Sequence, residues 1–151
     1  MPTKYRGTPE ETRALNAYIK LQRAAESVLT RTTAHLSHYN LTISQFAILE
    51  ALYHLGTLSQ RELAEKLLKS TGNMSIVLKN IEKRGLVSRE RDPQDNRYVQ
   101  VCITDSGTAI IESLLNQHVA GIVADMCVLT AEEQETLSRL CRKLGLREGA
   151  S

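Results

Sequence analysis

The chain has 151 residues, 42% hydrophobic and 24% charged, a size and balance that predict one soluble globular unit with a sizeable core. No apolar run nears the ~18 residues of a membrane-spanning helix, and Met1-Pro2-Thr3-Lys4-Tyr5-Arg6 leads into charged sequence rather than an apolar export signal, so a cytoplasmic location without a membrane partner is expected. A net charge of +2 is too mild to point to nucleic acid by itself, and Cys102, Cys127 and Cys141 lack the spacing of a disulfide framework or a metal site.

Helix starts punctuate the chain. Thr8-Pro9-Glu10-Glu11 supplies an N-cap hydroxyl, a proline at the first helical position and a glutamate to close a capping box. The helix that follows carries Leu15, Tyr18, Ile19, Val28, Leu29 and Leu36 and is expected to run unbroken to about Tyr39. A second box, Thr42-Ile43-Ser44-Gln45, has Leu41 and Phe46 as its hydrophobic staple and predicts a helix ending at Gly56. A third, Ser59-Gln60-Arg61-Glu62, has Leu58 and Leu63 in the same places and opens a short helix ending near Leu68. After the turn Lys69-Ser70-Thr71-Gly72, the residues Met74, Val77, Leu78 and Ile81 form one buried stripe of a helix that Gly85 ends.

From Leu86 the period changes to that of strands. Leu86–Arg91 and Tyr98–Ile103 predict a β-hairpin around the polar turn Asp92-Pro93-Gln94-Asp95-Asn96-Arg97, with Val99, Val101 and Ile103 on one face. A fifth helix is expected after Thr104, carrying Ile110, Ile111, Leu114, Leu115 and Ile122. A sixth opens at the box Thr130-Ala131-Glu132-Glu133 and is expected to bury Leu137, Leu140, Cys141 and Leu144. The fold class is therefore mainly α with a small β-hairpin.

Two short helices joined by a turn and followed by a hairpin describe a winged helix-turn-helix. The major groove of duplex DNA admits one helix, the preceding helix braces it, and a β-wing can reach the flanking minor groove. Charge follows the same division: residues 57–103 hold nine basic residues against six acidic ones, residues 104–151 four against seven. The candidate recognition helix is Thr71–Arg84. Its outward set of Thr71, Gly72, Asn73, Ser75, Ile76, Lys79 and Asn80 offers short hydrogen-bonding groups and a cation, and Ser70 and Thr71 sit where free backbone N–H groups favour a phosphate. Arg89, Asp95, Asn96 and Arg97 complete the candidate DNA-binding set from the wing.

Gly72-Asn73-Met74-Ser75, Ile81-Glu82-Lys83-Arg84-Gly85-Leu86-Val87, Arg89, Asp92-Pro93, Asp95, Arg97, Val101 and Ile103-Thr104-Asp105-Ser106-Gly107 together closely resemble the MarR family of bacterial transcription regulators. The resemblance extends over essentially the whole chain. Wings of that family commonly read Asp-Pro-x-Asp-Arg-Arg; here Asn96 stands at the first arginine and Arg97 at the second. By this resemblance Arg97 enters the minor groove and Asp95 orients its guanidinium. A narrow A·T-rich groove carries an enhanced negative potential, and arginine is more weakly hydrated than lysine.

The resemblance also implies a regulator, in the main a repressor, that binds a pseudo-palindromic operator as a homodimer and is released by a small-molecule effector. Residues 1–40 and 104–151 would form a helical dimerisation region and residues 41–103 the DNA-binding region, in one continuous fold. Leu114, Leu115, Ile122, Val123, Met126, Val128, Leu137, Leu140 and Leu144 are more apolar surface than a small winged unit can cover, which a symmetry mate would hide. The family's effectors are often phenolic or other small aromatic molecules, for which His35, His38, Tyr39, Tyr53 and His118 are the candidates; packing roles for each are the alternative. Some relatives sense oxidants through a cysteine in the first helix, which this chain does not have before Cys102; Cys141 is expected in the core and Cys102 on the more exposed strand face. No cofactor or metal is expected. Without a phosphate loop, a nucleophile elbow or a His-x-x-x-His pair, an enzyme is the least expected class. The rival reading is a winged-helix module that binds protein rather than DNA.

Overall fold

The computed structural model describes residues 4–67 and 70–149. In chain order the elements are α1 (Pro9–Thr33), a 3₁₀ segment (Ala34–Tyr39), α2 (Ile43–Leu55), β1 (Leu58–Ser59), α3 (Gln60–Lys66), α4 (Thr71–Lys83), β2 (Val87–Arg91), β3 (Val99–Ile103), α5 (Asp105–Met126) and α6 (Ala131–Leu146). Leu68 and Lys69, expected to end the third helix and to form the following turn, lie outside the described residues, as do Met1, Pro2 and Thr3 of the charged N-terminus.

The boxes form at all four helix starts. Thr8, Thr42, Ser59 and Thr130 each accept the backbone N–H three residues on, and the side chains of Glu11, Gln45, Glu62 and Glu133 return the bond. Each pair satisfies N–H groups that a helix start leaves open. Gly56 at φ 80° and Gly85 at φ 70° end α2 and α4 in the left-handed half of backbone space, and past Gly85 the Leu86 N–H returns to the Ile81 carbonyl at 3.0 Å.

Two elements depart from expectation. The first helix does not reach Tyr39 as one α-helix: it gives way after Thr33 to a 3₁₀ segment closed by Asn40 at φ 53°, with the Leu41 N–H bonded to the Leu36 carbonyl at 3.1 Å. The hairpin is joined by a third strand, in sheet order β1-β3-β2, because Leu58 and Ser59 pair antiparallel with Val101 and Gln100. Ser59 is thus both the last residue of β1 and the N-cap of α3.

The chain divides into two compact units, one spanning Thr33–His118 and the other made of the segments up to Thr32 and from Val119 on. In the first, Leu36, Ile48, Leu49, Leu52, Leu63, Met74, Leu78, Ile81, Val101, Ile111 and Leu114 are closed from solvent and form a single core. Gly107, in the first turn of α5, is there for contact reasons: a Cβ would collide with the Leu86 carbonyl oxygen and come within 2.8 Å of Ile103. Thr104 stitches the same junction, donating its hydroxyl to the Gly85 carbonyl at 2.6 Å and accepting the Gly107 N–H at 3.1 Å.

In the second unit, α1 and α5 are tied by a bidentate pair, Arg31 Nε to Asp125 Oδ1 at 2.5 Å and Arg31 Nη2 to Asp125 Oδ2 at 3.0 Å. The expected burial of Leu137, Leu140, Cys141 and Leu144 does not occur within one chain. The leucines are 38%, 50% and 62% exposed, Cys141 is exposed, and no described residue of α6 is buried. The helical period marks an apolar face that the described residues leave largely exposed.

Candidate nucleic-acid interface

α4 is seated by its stripe: Met74, Leu78 and Ile81 are fully buried and Val77 half-buried. Ser70 caps it, accepting the Asn73 N–H at 3.2 Å. Gly72, Asn73, Ile76, Lys79 and Asn80 are exposed, Ile76 at 63%, while Ser75 is half-buried. Thr71 is the first residue of the helix; its side chain lies outside what is described. These exposed residues supply two side-chain amides, the Lys79 ammonium and one branched apolar side chain, the last suited to a thymine methyl. At the far end Arg84 donates to the carbonyls of Asn40 at 2.6 Å and Tyr39 at 3.2 Å, anchoring α4 to the end of the 3₁₀ segment.

The wing is organised by Asp92. One carboxylate oxygen accepts the N–H groups of Gln94 at 2.8 Å and Asp95 at 3.3 Å, the other the Gln100 side-chain amide at 2.9 Å. These bonds, Gln100's first, hold the Asp92 carboxyl below its ordinary range. The next acid holds the tip arginine. Arg97 donates Nε and Nη2 to Asp95 at 2.9 and 2.8 Å, and its backbone N–H at 3.1 Å. These bonds, the side-chain pair first, lower the Asp95 carboxyl and raise the Arg97 guanidinium. Arg97 is 84% exposed and Asp95 only 31%, so the acid faces the loop and the cation faces out.

The other wing candidates sit differently. Asn96 is exposed, and its carbonyl accepts Arg91 Nη1 at 2.9 Å. Arg89 is half-buried and its Nε bonds Glu82 Oε2 of α4 at 2.6 Å, which commits its charge to bracing wing against helix. Sequence spacing carries no sign of this pair, because seven residues and a chain reversal separate the partners.

Of the effector candidates, His35 and His118 come together with ring centroids 5.1 Å apart. Phe46, not among the effector candidates, meets His118 edge-on at 4.6 Å. His118 is 7% exposed, and its Nδ1 has no hydrogen-bond partner among the described residues. Tyr39 and Tyr53 reach α5 instead, their hydroxyls 3.5 Å from the Ser113 carbonyl and Glu112 carboxylate respectively, and His38 is exposed. Among the described residues no group of three or more His, Cys, Asp or Glu side chains is placed to hold a metal ion. Cys102, half-buried, shares a 3.2 Å contact with the Thr57 hydroxyl, and Cys127 and Cys141 are exposed.

A helix-turn-helix followed by a braced β-wing is the architecture of a winged-helix transcription regulator. The MarR family model matches residues 41–99, from just before α2 to the first residue of β3. The uncharacterized HTH-type transcriptional regulator YkoM of Bacillus subtilis strain 168 is 31% identical over 137 residues, covering 91% of this chain and 89% of that protein. NadR, solved in complex with 4-hydroxyphenylacetate, superposes with a TM-score of 0.73 at 27% identity, over 95% of this chain and 97% of NadR. MepR of S. aureus, solved with DNA, has the same fold at a TM-score of 0.76 and 23% identity, over 85% and 94% of the two chains. The chain belongs to the MarR family of transcription regulators.

Proposed function

We propose that the protein binds a pseudo-palindromic DNA operator as a homodimer, with α4 in the major groove and Arg97 in the flanking minor groove of each half-site, and that it represses transcription until a small aromatic effector releases it. The observation that carries this reading is the wing tip. A guanidinium 84% exposed is held in one orientation by a carboxylate that is itself fixed by the loop, so little side-chain freedom is left to lose on insertion. The polar outer face of α4 supplies base-edge and phosphate partners: Ser70, Thr71, Gly72, Asn73, Ser75, Ile76, Lys79 and Asn80 from the helix, with Asp95, Asn96 and Arg97 from the wing.

The helical unit is assigned to dimerisation, because Ile122, Val123, Val128, Leu137, Leu140 and Leu144 are exposed in one chain and such a face is covered at low cost by its own copy. Assembly is the work of residues 1–40 and 104–151, of which 33–40 and 104–118 also belong to the winged unit, and residues 41–103 serve DNA, working in the cytoplasm. Support for an effector comes from the NadR complex with 4-hydroxyphenylacetate and from the buried His118 beside Phe46 and His35, an aromatic lining with a nitrogen open to an acidic or phenolic group.

The test is a mobility-shift titration at fixed salt against a sequence selected from a random duplex pool. Arg97→Ala is expected to weaken specific binding by at least about 1 kcal/mol, roughly fivefold, with an unchanged melting midpoint. Unchanged affinity would remove the minor-groove role. Failure of the wild-type chain to retain any duplex would favour a protein-binding module instead.

A further inference from the structure

Three arginines stand on the wing, and their charges are used differently. In the register of β2 with β3, Arg89 lies opposite Val101 and Arg91 opposite Val99. Opposed residues of an antiparallel pair share a face, so Val87, Arg89 and Arg91 form one row on the side of the sheet that buries Val101. Going outward along it, Val87 is buried in the core and Arg89 is half-buried on Glu82 at 2.6 Å, while Arg91 is exposed beyond the core. Arg97 is balanced within the loop by its bidentate bond to Asp95. Arg91 alone of the three donates to a neutral acceptor, the Asn96 carbonyl at 2.9 Å, and among the described residues it makes no ion pair. Asn96 brings no charge of its own, so the uncompensated cation at this turn comes from the neighbouring strand.

We infer that Arg91 is a phosphodiester-binding residue of the wing, gripping the DNA backbone between the groove that receives α4 and the groove that receives Arg97. The inference rests on the DNA-binding reading above. If α4 occupies the major groove and the tip loop the minor groove, the strand joining them crosses the phosphate ridge between the two. Arg91 lies on that strand, between the residue bound to α4 and the tip. Its bond to the Asn96 carbonyl leaves other N–H donors of the guanidinium open, in the planar fork that suits a phosphate. A backbone contact of this kind positions the protein without reading sequence. Arg91 therefore differs in role from Arg97, and Arg89 acts on DNA only through the placement of α4.

The experiment is a fluorescence-anisotropy titration of the full chain with a selected operator and with a random duplex, between 50 and 200 mM salt. For a single lost phosphate contact, Arg91→Gln should weaken both duplexes by the same factor and lower the slope of log affinity against log salt by about 0.9. Over that fourfold salt range the wild type should then lose about threefold more affinity than the variant. Arg91→Lys should keep the wild-type slope, and Arg89→Gln should lower affinity with the slope unchanged. A wild-type slope in Arg91→Gln, a loss confined to the operator, or an Arg91→Lys chain with the slope of Arg91→Gln overturns the assignment. If the wild type binds neither duplex, the DNA reading itself falls, an outcome the wild-type arm separates from the others.

Discussion

The winged unit and the helical unit solve the problem of apolar surface in opposite ways. Every buried hydrophobic side chain described lies between Leu36 and Leu114, inside the unit Thr33–His118. The segments outside it hold Tyr18, Val123, Val128, Leu140 and Leu144 exposed, and α1 and α5 are tied there by the Arg31–Asp125 pair. One unit is complete in a single chain and can present α4 and the wing as a rigid pair. The other has amphipathic helices whose apolar faces stay largely exposed in the single chain.

The contrast can be broken most sharply in the core. Leu78→Ala, at a site with no exposure on the buried side of α4, should lower the unfolding free energy by about 2–5 kcal/mol in a urea melt. A loss under about 0.5 kcal/mol would mean that the winged unit is loosely packed. Gly107→Ala should follow, at about 1–3 kcal/mol, because the new methyl meets the Leu86 backbone rather than a side chain that can swing away; a neutral substitution would show that the start of α5 can shift.

The helical unit is tested by assembly rather than by melting. Leu140→Glu places a charge on the exposed face of α6 and should weaken self-association at least tenfold, about 1.4 kcal/mol, in sedimentation velocity. An unchanged association constant would mean that a different face carries the dimer. The smallest effect is expected from acid. The Arg31 hydrogen bond holds the Asp125 carboxyl below its ordinary value, so the stability it contributes is complete above the ordinary carboxylate range and is lost as pH falls through the lowered value. Melting curves taken from about pH 5 down to about pH 2 should therefore fall more steeply for the wild type than for Asp125→Asn. Parallel curves would show that the pair adds nothing to the helical unit.

Local chemistry was legible and long-range chemistry was not. The four capping boxes, the stripe Met74–Ile81, the glycine stops at Gly56 and Gly85 and the shift to strand period after Leu86 all depend on residues within about one turn or one hairpin of each other. β1 was hidden because two residues have no period; Leu58 and Ser59 read as staple and cap, and only pairing with Val101 and Gln100 makes them a strand. The break of the first helix at Thr33 has no glycine or proline to announce it.

The sequence by itself therefore determined where the capped helices start, where α2 and α4 stop, which side of α4 turns inward, and which wing acid and arginine lie two residues apart, since spacing along the chain sets all of these. Tertiary structure alone decided that Arg89 belongs to Glu82, that Arg91 reaches Asn96, that His35, Phe46 and His118 meet, and that the α6 leucines stay uncovered. Those outcomes depend on which surfaces the packed core brings within hydrogen-bonding or van der Waals range, and no local period encodes that distance.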